Sequence, residues 1–179
     1  MDKPVIYFAY HKCYLGELKI GVYNNAICMC DWRYRRMRVA IDERLKKFFK
    51  AELLEAHHPL ITEFIHQLQA YLDKKLQNFT IPIVFAGTAF QQNVWQHLIQ
   101  IPYGTTISYS ALAQKMNMPD AVRAVATANG ANAISIVVPC HRIIGNNFDL
   151  VGYAGGLPAK QKLLTLENPN PPNTLPFWD

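Results

Sequence analysis

No apolar stretch in this chain reaches the ~18 residues a membrane span needs. The N-terminus, where Asp2 and Pro4 precede a short β-like run, lacks the apolar core of a signal peptide, so a cytoplasmic protein is expected, with no membrane partner. Cysteine is scarce. Cys13, Cys28, Cys30 and Cys140 show no disulfide-framework spacing, which points to free thiols in a reducing compartment. The pair in Cys28-Met29-Cys30 is closer than a usual zinc pair, which has about two to four intervening residues. On a strand both thiols would share a face, and buried core cysteines are the expectation over a metal site with Cys13, His11, His57 or His58. Acidic side chains are also in deficit, 13 against 18 basic, giving +5. A modest basic excess suits a polyanion without proving one.

Half of the 179 residues are apolar, enough for a substantial core in one large or two small domains. Three β-like runs come first, Val5 to Tyr10, Gly16 to Tyr23 and Ala26 to Trp32, with Tyr23-Asn24-Asn25-Ala26 as a tight turn, so an antiparallel meander is expected. Residues Arg33 to Ala56 then place Leu45, Phe48, Phe49 and Leu53 at helical spacing, and Leu60 to Leu76 place Ile61, Phe64, Ile65, Leu68 and Leu72 on one face. Arg33, Arg35, Arg36, Arg38, Arg44, Lys46 and Lys47 could track phosphates, although a solvated helix face is the commoner meaning of such a run. A short strand, Ile81 to Phe85, closes this half.

A boundary is expected near Ala86-Gly87-Thr88, dividing the chain into 1–86, 87–167 and a proline-rich tail, 168–179. Thr88 is a candidate N-cap for a helix from Ala89 to Gln100. Ser108 to Lys115, a turn at Met116-Asn117-Met118-Pro119, and a helix reaching Asn129 make a helix-turn-helix pattern. The second helix carries Arg123 as its only long polar side chain, among small residues including Ala124 and Ala126, which suits close approach to a narrow groove more than readout of a wide one.

The chemistry concentrates at Pro139-Cys140-His141-Arg142, after the apolar run Ile134 to Val138, read as a buried strand. A thiol with a pKa near ~8.5 needs a base or positive field beside it to act as a nucleophile, and His141 or Arg142 could supply one. On an extended backbone neighbouring residues face apart, so Cys140 and His141 cooperate only if the chain bends or water relays the proton. Taken alone, the pair reads better as a core cysteine and a satisfied histidine.

The surroundings change that reading. Ala89-Phe90-Gln91-Gln92-Asn93-Val94-Trp95, Ile101-Pro102-Tyr103-Gly104, Ile107-Ser108-Tyr109, Arg123-Ala124-Val125, Ala128-Asn129-Gly130-Ala131-Asn132, Pro139-Cys140-His141-Arg142, Gly152-Tyr153-Ala154-Gly155-Gly156 and Lys162-Leu163-Leu164 with Glu167 together resemble the O6-alkylguanine-DNA alkyltransferases, in order and spacing. The resemblance implies an α/β (α+β) protein. Its N-terminal domain would be ribonuclease-H-like, with a small antiparallel sheet, helices and a scaffolding role. Its C-terminal domain would be winged-helix-turn-helix-like. It implies single-turnover, irreversible transfer of an O6-alkyl group of guanine in duplex DNA to Cys140, after nucleotide flipping, with no cofactor or metal.

The resemblance also implies roles. Cys140 would be the nucleophile, His141 the base through water, and Glu167 its holder. Tyr109 would push on the phosphate and donate to the guanine ring, and Asn132 would be the hinge. Arg123 would fill the gap left in the duplex, with Tyr109, Ala124, Ala126 and Arg142 also at the DNA. Tyr153, Ala154, Ile143, Gly155 and Gly156 would form the alkylguanine pocket, the Ala154 amide donating to O6. A monomer is expected, with cooperativity on DNA left open. Taken singly, each role has a bland alternative: Glu167 as a surface carboxylate, Asn132 as a cap, Arg123 as a surface charge. Departures from the family pattern are Ala126-Thr127 on the groove-facing helix and the loop Asn146 to Val151. The rivals are a non-catalytic sensor of alkylated DNA, which would lack the cysteine, and a helix-turn-helix regulator.

Overall fold

A computed structural model describes residues 3–169, so most of the proline-rich tail, with Phe177 and Trp178, lies outside the described residues. The architecture is mixed α/β. Strands β1 (Val5–Cys13), β2 (Gly16–Tyr23) and β3 (Ala26–Trp32) form the expected antiparallel meander. The turn between β2 and β3 has Asn24 at φ 46° and Asn25 at φ 58°, the two positive dihedrals that a tight hairpin matching the strand twist requires.

Helix α1 (Arg38–Phe49) stops at Lys50, whose φ of 52° turns the backbone left-handed, so Leu53 is not a helical position. It lies in β4 (Glu52–Glu55), which pairs parallel with β1 and gives the sheet order β3-β2-β1-β4. Residues Ile81 to Phe85 form one bridge, Ile27 to Ile83, rather than a strand. A bulge in the β2–β3 ladder, where Gly21 faces Met29 but Val22 faces Ile27, leaves Cys28 as the extra residue. The expected sharing of a face by Cys28 and Cys30 is therefore lost: both are buried, in different apolar clusters.

Helix α2 (Pro59–Leu72) buries Ile61, Phe64, Leu68, Tyr71 and Leu72 as one stripe, with Pro59 in its first turn and His58 Nδ1 capping the Leu60 amide at 3.2 Å. Phe64 and Leu68 are fully buried, each worth ~1.5–3 kcal/mol relative to exposure. Helix α3 (Ala89–Ile99) starts at Thr88 in a reciprocal capping box with Gln91. Next come β5 (Ile107–Ser108), α4 (Tyr109–Lys115) capped by Ser108, a short 3-10 turn at Pro119–Ala121, and α5 (Val122–Gly130). Strand β6 (Ile143–Ile144) pairs parallel with β5, and α6 (Leu157–Glu167) closes the described chain.

One apolar cluster runs from β2 and β3 through α2 to α3, α5 and α6, by way of Ile20, Phe64, Trp95, Val125 and Leu163. A second, with Ile6, Met29, Leu45 and Phe49, lies between the sheet and α1. Trp95 Nε1 donates to Ala128 O at 2.8 Å, fastening α5 to α3.

Candidate active site

The run Ile134 to Val138 is not a strand. It doubles back with Ile136 at φ 75° and Val138 N donating to Ile134 O at 2.9 Å, while Ser135 N and Cys30 O, 2.7 Å apart, bind the turn to β3. The chain then makes one 3-10 turn, Cys140–Arg142. Three residues per turn separates successive side chains by about 120°, so Cys140 and His141 do not project to opposite faces.

Asn132 ties this turn together. Its Nδ2 donates to Val138 O at 3.0 Å and to Cys140 Sγ at 3.2 Å, and its Oδ1 accepts from Ile134 N at 2.9 Å. Burial pushes the Cys140 thiol above its ordinary pKa, while the Asn132 amide and the Lys160 charge pull it down. Those two groups are the means by which a buried thiolate is made accessible.

Glu167 lies behind the cysteine, on the last turn of α6, and is buried rather than at the surface. Its Oε1 accepts from Tyr71 Oη at 2.5 Å, His141 Nε2 at 2.8 Å and Arg142 Nη2 at 2.8 Å; its Oε2 accepts from Arg142 Nε at 2.9 Å and Gly104 N at 3.1 Å. Burial alone would raise this carboxyl, but the His141 and Arg142 donors outweigh it and hold it well below the usual carboxylate range. Burial lowers the His141 pKa, so at neutral pH the permanent countercharge is Arg142. An ionised carboxylate only accepts, which puts the neutral imidazole's proton on Nε2 and its lone pair on Nδ1. His141 Nδ1 is buried without a protein partner among the described residues.

A cavity of about 300 Å³ opens over the thiol, lined by Cys140, Tyr109, Asn132, Ala126, Tyr153 and Ala154 among the expected site residues. Burial, and secondarily the nearby Cys140, raises the Tyr109 pKa, and the Asn129 side chain opposes that shift. Tyr153 packs edge-on against His141 at 6.4 Å and Trp32 at 5.9 Å between ring centroids.

Other residues are placed apart from the cavity. Arg123 and Ala124 are exposed on α5. Thr127 on the same helix turns its Oγ1 back to Arg123 O at 3.0 Å. Ile143 is fully buried, and its carbonyl accepts from Lys160 Nζ at 2.5 Å. Gly155 lies flat on Trp32, where an added Cβ would come within 2.2 Å of the indole, and Gly156 has φ 86°. Arg142 corrects an expectation. It is 6 % exposed with Nε and Nη2 on Glu167 and Nη1 on Ile101 O at 2.5 Å, so it does not face DNA.

Around the cavity the sequence reading missed Met37, gave no site role to Asn129, Gly130 and Gly152 of the motifs, and gave Arg35 and Arg36 none beyond phosphate tracking. It also missed Tyr71 and Lys160. The Lys160 amine is buried and held by Ile143 O, Val151 O at 2.7 Å and Gly152 O at 3.5 Å. No local pattern marks a helical lysine as buried; Arg35 and Arg36 were visible only as part of a charge run.

The family description "6-O-methylguanine DNA methyltransferase, DNA binding domain" matches residues 89–169. The inducible methylated-DNA--protein-cysteine methyltransferase of Bacillus subtilis is 47% identical over 125 residues, 70% of each chain. This chain belongs to that methyltransferase family. The Methanosarcina barkeri member is 43% identical over 125 residues, 70% of this chain and 72% of that one. Among solved structures, Mycobacterium tuberculosis OGT in complex with DNA superposes at TM-score 0.76 with 33% identity, covering 90% of this chain and 92% of that one. The Pyrococcus kodakaraensis O6-methylguanine-DNA methyltransferase shares the fold, at TM-score 0.67 and 22% identity, over 91% of this chain and 99% of that one.

Proposed function

We propose that this methyltransferase-family protein repairs DNA directly, moving the alkyl group from O6 of a damaged guanine in duplex DNA onto Cys140 Sγ. The observation that carries the reading is the thiol at the floor of a 300 Å³ cavity, with an amide donor on its sulfur and the buried His141–Glu167 pair in the adjoining turn. The guanine lies inside the base stack, so its nucleotide is flipped into the cavity at the expense of a few kcal/mol of unstacking. Arg123, exposed on α5, fills the gap, with Ala124 and Ala126 against the groove.

His141 Nδ1 takes the thiol proton through water, and Glu167 fixes the tautomer, as in hydrolytic triads. Sγ attacks the alkyl carbon, and the S–C bond forms as the C–O6 bond breaks. The displaced guanine recovers a proton, donated toward its ring by Tyr109 and balanced by His141. Tyr153 and the Ala154 backbone, which line the cavity, hold the base. A thioether is a poor leaving group, so each molecule acts once, and no cofactor enters. We read residues 1–86 as a ribonuclease-H-like scaffold and 87–167 as a winged helix-turn-helix, supported by the meander and by the α4–α5 pair.

The test is intact-protein mass spectrometry after incubation with duplex DNA carrying one O6-methylguanine. One methyl per chain, mapped to Cys140 and absent in Cys140→Ala, is the expected result. DNA binding without a mass change overturns the reading.

A further inference from the structure

Helix α5 ends beside the reacting thiol, and its carboxyl end is held from the other half of the chain. Gly130 O and Asn132 O both accept from the Arg35 guanidinium, the latter at 3.0 Å, and Ala131 O between them accepts from Arg44 Nη2 at 2.8 Å. Three consecutive carbonyls are thus occupied by two arginines of the segment after β3. Cations at a helix carboxyl end oppose the partial negative charge there. Here they also hold the backbone of Asn132, whose side chain reaches Cys140 Sγ.

Both arginines are fixed from behind. Arg35 pairs with the fully buried Asp31 at 2.9 Å. Arg44 lies over the Trp95 ring, 5.4 Å from its centroid, and burial lowers its pKa to about 10. Asp31 and Trp95 belong to β3 and α3, so the clamp joins the sheet, α1 and α3 to one stretch of backbone.

We propose that Arg35 and Arg44 are positioning residues for alkyl transfer, clamping the end of the groove-facing helix so that the Asn132 amide stays on the sulfur. The inference rests on the transferase reading. Loosening the clamp lets Asn132 drift, which weakens the donor that favours the thiolate and misplaces the sulfur. Displacements of about 1 Å cost roughly a hundredfold in rate in such sites.

The test is single-turnover methyl transfer at saturating O6-methylguanine duplex across a pH series, for wild type, Arg44→Met, Arg44→Lys, Arg35→Lys and Asn132→Ala, with the exposed Lys47→Ala as control. Arg44→Met is expected to lower the saturating rate roughly ten- to a hundredfold and to move the pH midpoint upward, with Arg44→Lys recovering part of both. Combined with Asn132→Ala, Arg44→Met should add little, because both act through one amide. If Arg35→Lys does not fold, the Arg44 series decides alone. An Arg44→Met protein that melts earlier but keeps the wild-type saturating rate and pH midpoint overturns the proposal. A wild type that takes up no methyl fails the transferase reading instead.

A second observation stands apart from the clamp. Arg33, Arg35, Arg38, Arg44 and Lys46 all have protein partners. Arg36 is exposed and makes no hydrogen bond or ion pair among the described residues. It lines the reactive cavity beside Ala126 and Gly130 of α5. We infer that Arg36 contacts a backbone phosphate next to the flipped nucleotide, bringing the N-terminal half to the DNA. One phosphate contact adds about one unit to the slope of log affinity against log salt. Duplex titrations of Arg36→Ala from low to high salt should show that slope shallower by about one, restored in Arg36→Lys. An unchanged slope overturns it.

Discussion

Asp31 on β3 and Glu167 on α6 are both buried carboxylates facing arginines, and they are used differently. Glu167 has donors on both oxygens, from Tyr71, His141, Arg142 and the Gly104 amide. Asp31 holds Arg35 at 2.9 Å and Arg38 at 2.8 Å on Oδ2 alone, while its Oδ1 has no partner among the described residues. Glu167 is a saturated terminus that fixes its neighbours where they are. Asp31 neutralises an arginine whose remaining donors go to backbone in the other half of the chain. A buried charge that is fully bonded specifies a geometry; one that is half bonded serves to route a neighbour elsewhere.

The largest effect should come from breaking the saturated group. Glu167→Gln leaves the buried Arg142 without countercharge, and removing one member of such a pair costs ~3–5 kcal/mol; urea midpoints would measure it. Whichever way the amide turns, its NH2 meets donors that the carboxylate accepted, Tyr71, His141 and Arg142 on one side or Arg142 and the Gly104 amide on the other, so the His141 turn is disturbed and methyl transfer should fall as well. The pH sign follows from the depressed Glu167 pKa. Its stabilisation is fully present above the ordinary carboxylate value near ~4.3 and is lost as pH falls below it. The stability gap between wild type and Glu167→Gln should therefore narrow from pH 5 downward. A gap that stays constant to pH 2 would contradict an ionised Glu167.

Asp31→Asn should cost less, on the order of 1–3 kcal/mol. Arg38 keeps Asp42 at 2.8 Å and Arg35 keeps its two carbonyls. Equal losses for Asp31→Asn and Glu167→Gln in the same urea series would erase the distinction between the two sites.

Legibility in the sequence followed the same divide between local and distant partners. Thr88 before Ala89, Asn24-Asn25 between strands and the stripe Ile61-Phe64-Leu68 are local codes, and each is realised where it stands. β4 was not legible, because Glu52-Leu53-Leu54-Glu55 has no strand period and pairs with a strand more than forty residues upstream. Ile134 to Val138 reads as a strand by composition, but Ile136 adopts φ 75° because the turn is pinned from Asn132 and β3. The motif residues around Cys140 could be seen, whereas the structural roles of Arg35, Arg44 and Lys160 could not. Their partners are backbone carbonyls of distant segments, which carry no residue signature.

Lys160 sharpens the comparison from the opposite sign of charge. Among the described residues its ammonium is bonded only to carbonyls, and burial lowers its pKa to about 8. Between that value and the unfolded value near ~10.4, the unfolded chain binds more protons, so this group adds stability as pH rises. Buried tyrosines and cysteines with raised pKa values act in the other direction. The difference between wild type and Lys160→Met therefore isolates the lysine: it should move in favour of wild type from pH 8 to 10, read by thermal melts. A difference independent of pH would mean the amine is charged in the fold throughout.

The smallest effect belongs to a residue outside both carboxylate groups. Thr88 caps α3 by accepting from Gln91 N at 3.2 Å, and Gln91 returns a bond to Thr88 N at 3.0 Å. Thr88→Ala removes one of these and should cost ~1 kcal/mol. The helix it starts carries Trp95, which holds α5 through Ala128 O, so the loss touches the clamp only through the frayed first turn. Methyl transfer at saturating DNA should stay within twofold of wild type while the urea midpoint falls. A transfer defect matching that of Arg44→Met would instead mean that general loss of stability, rather than the held end of α5, sets the rate.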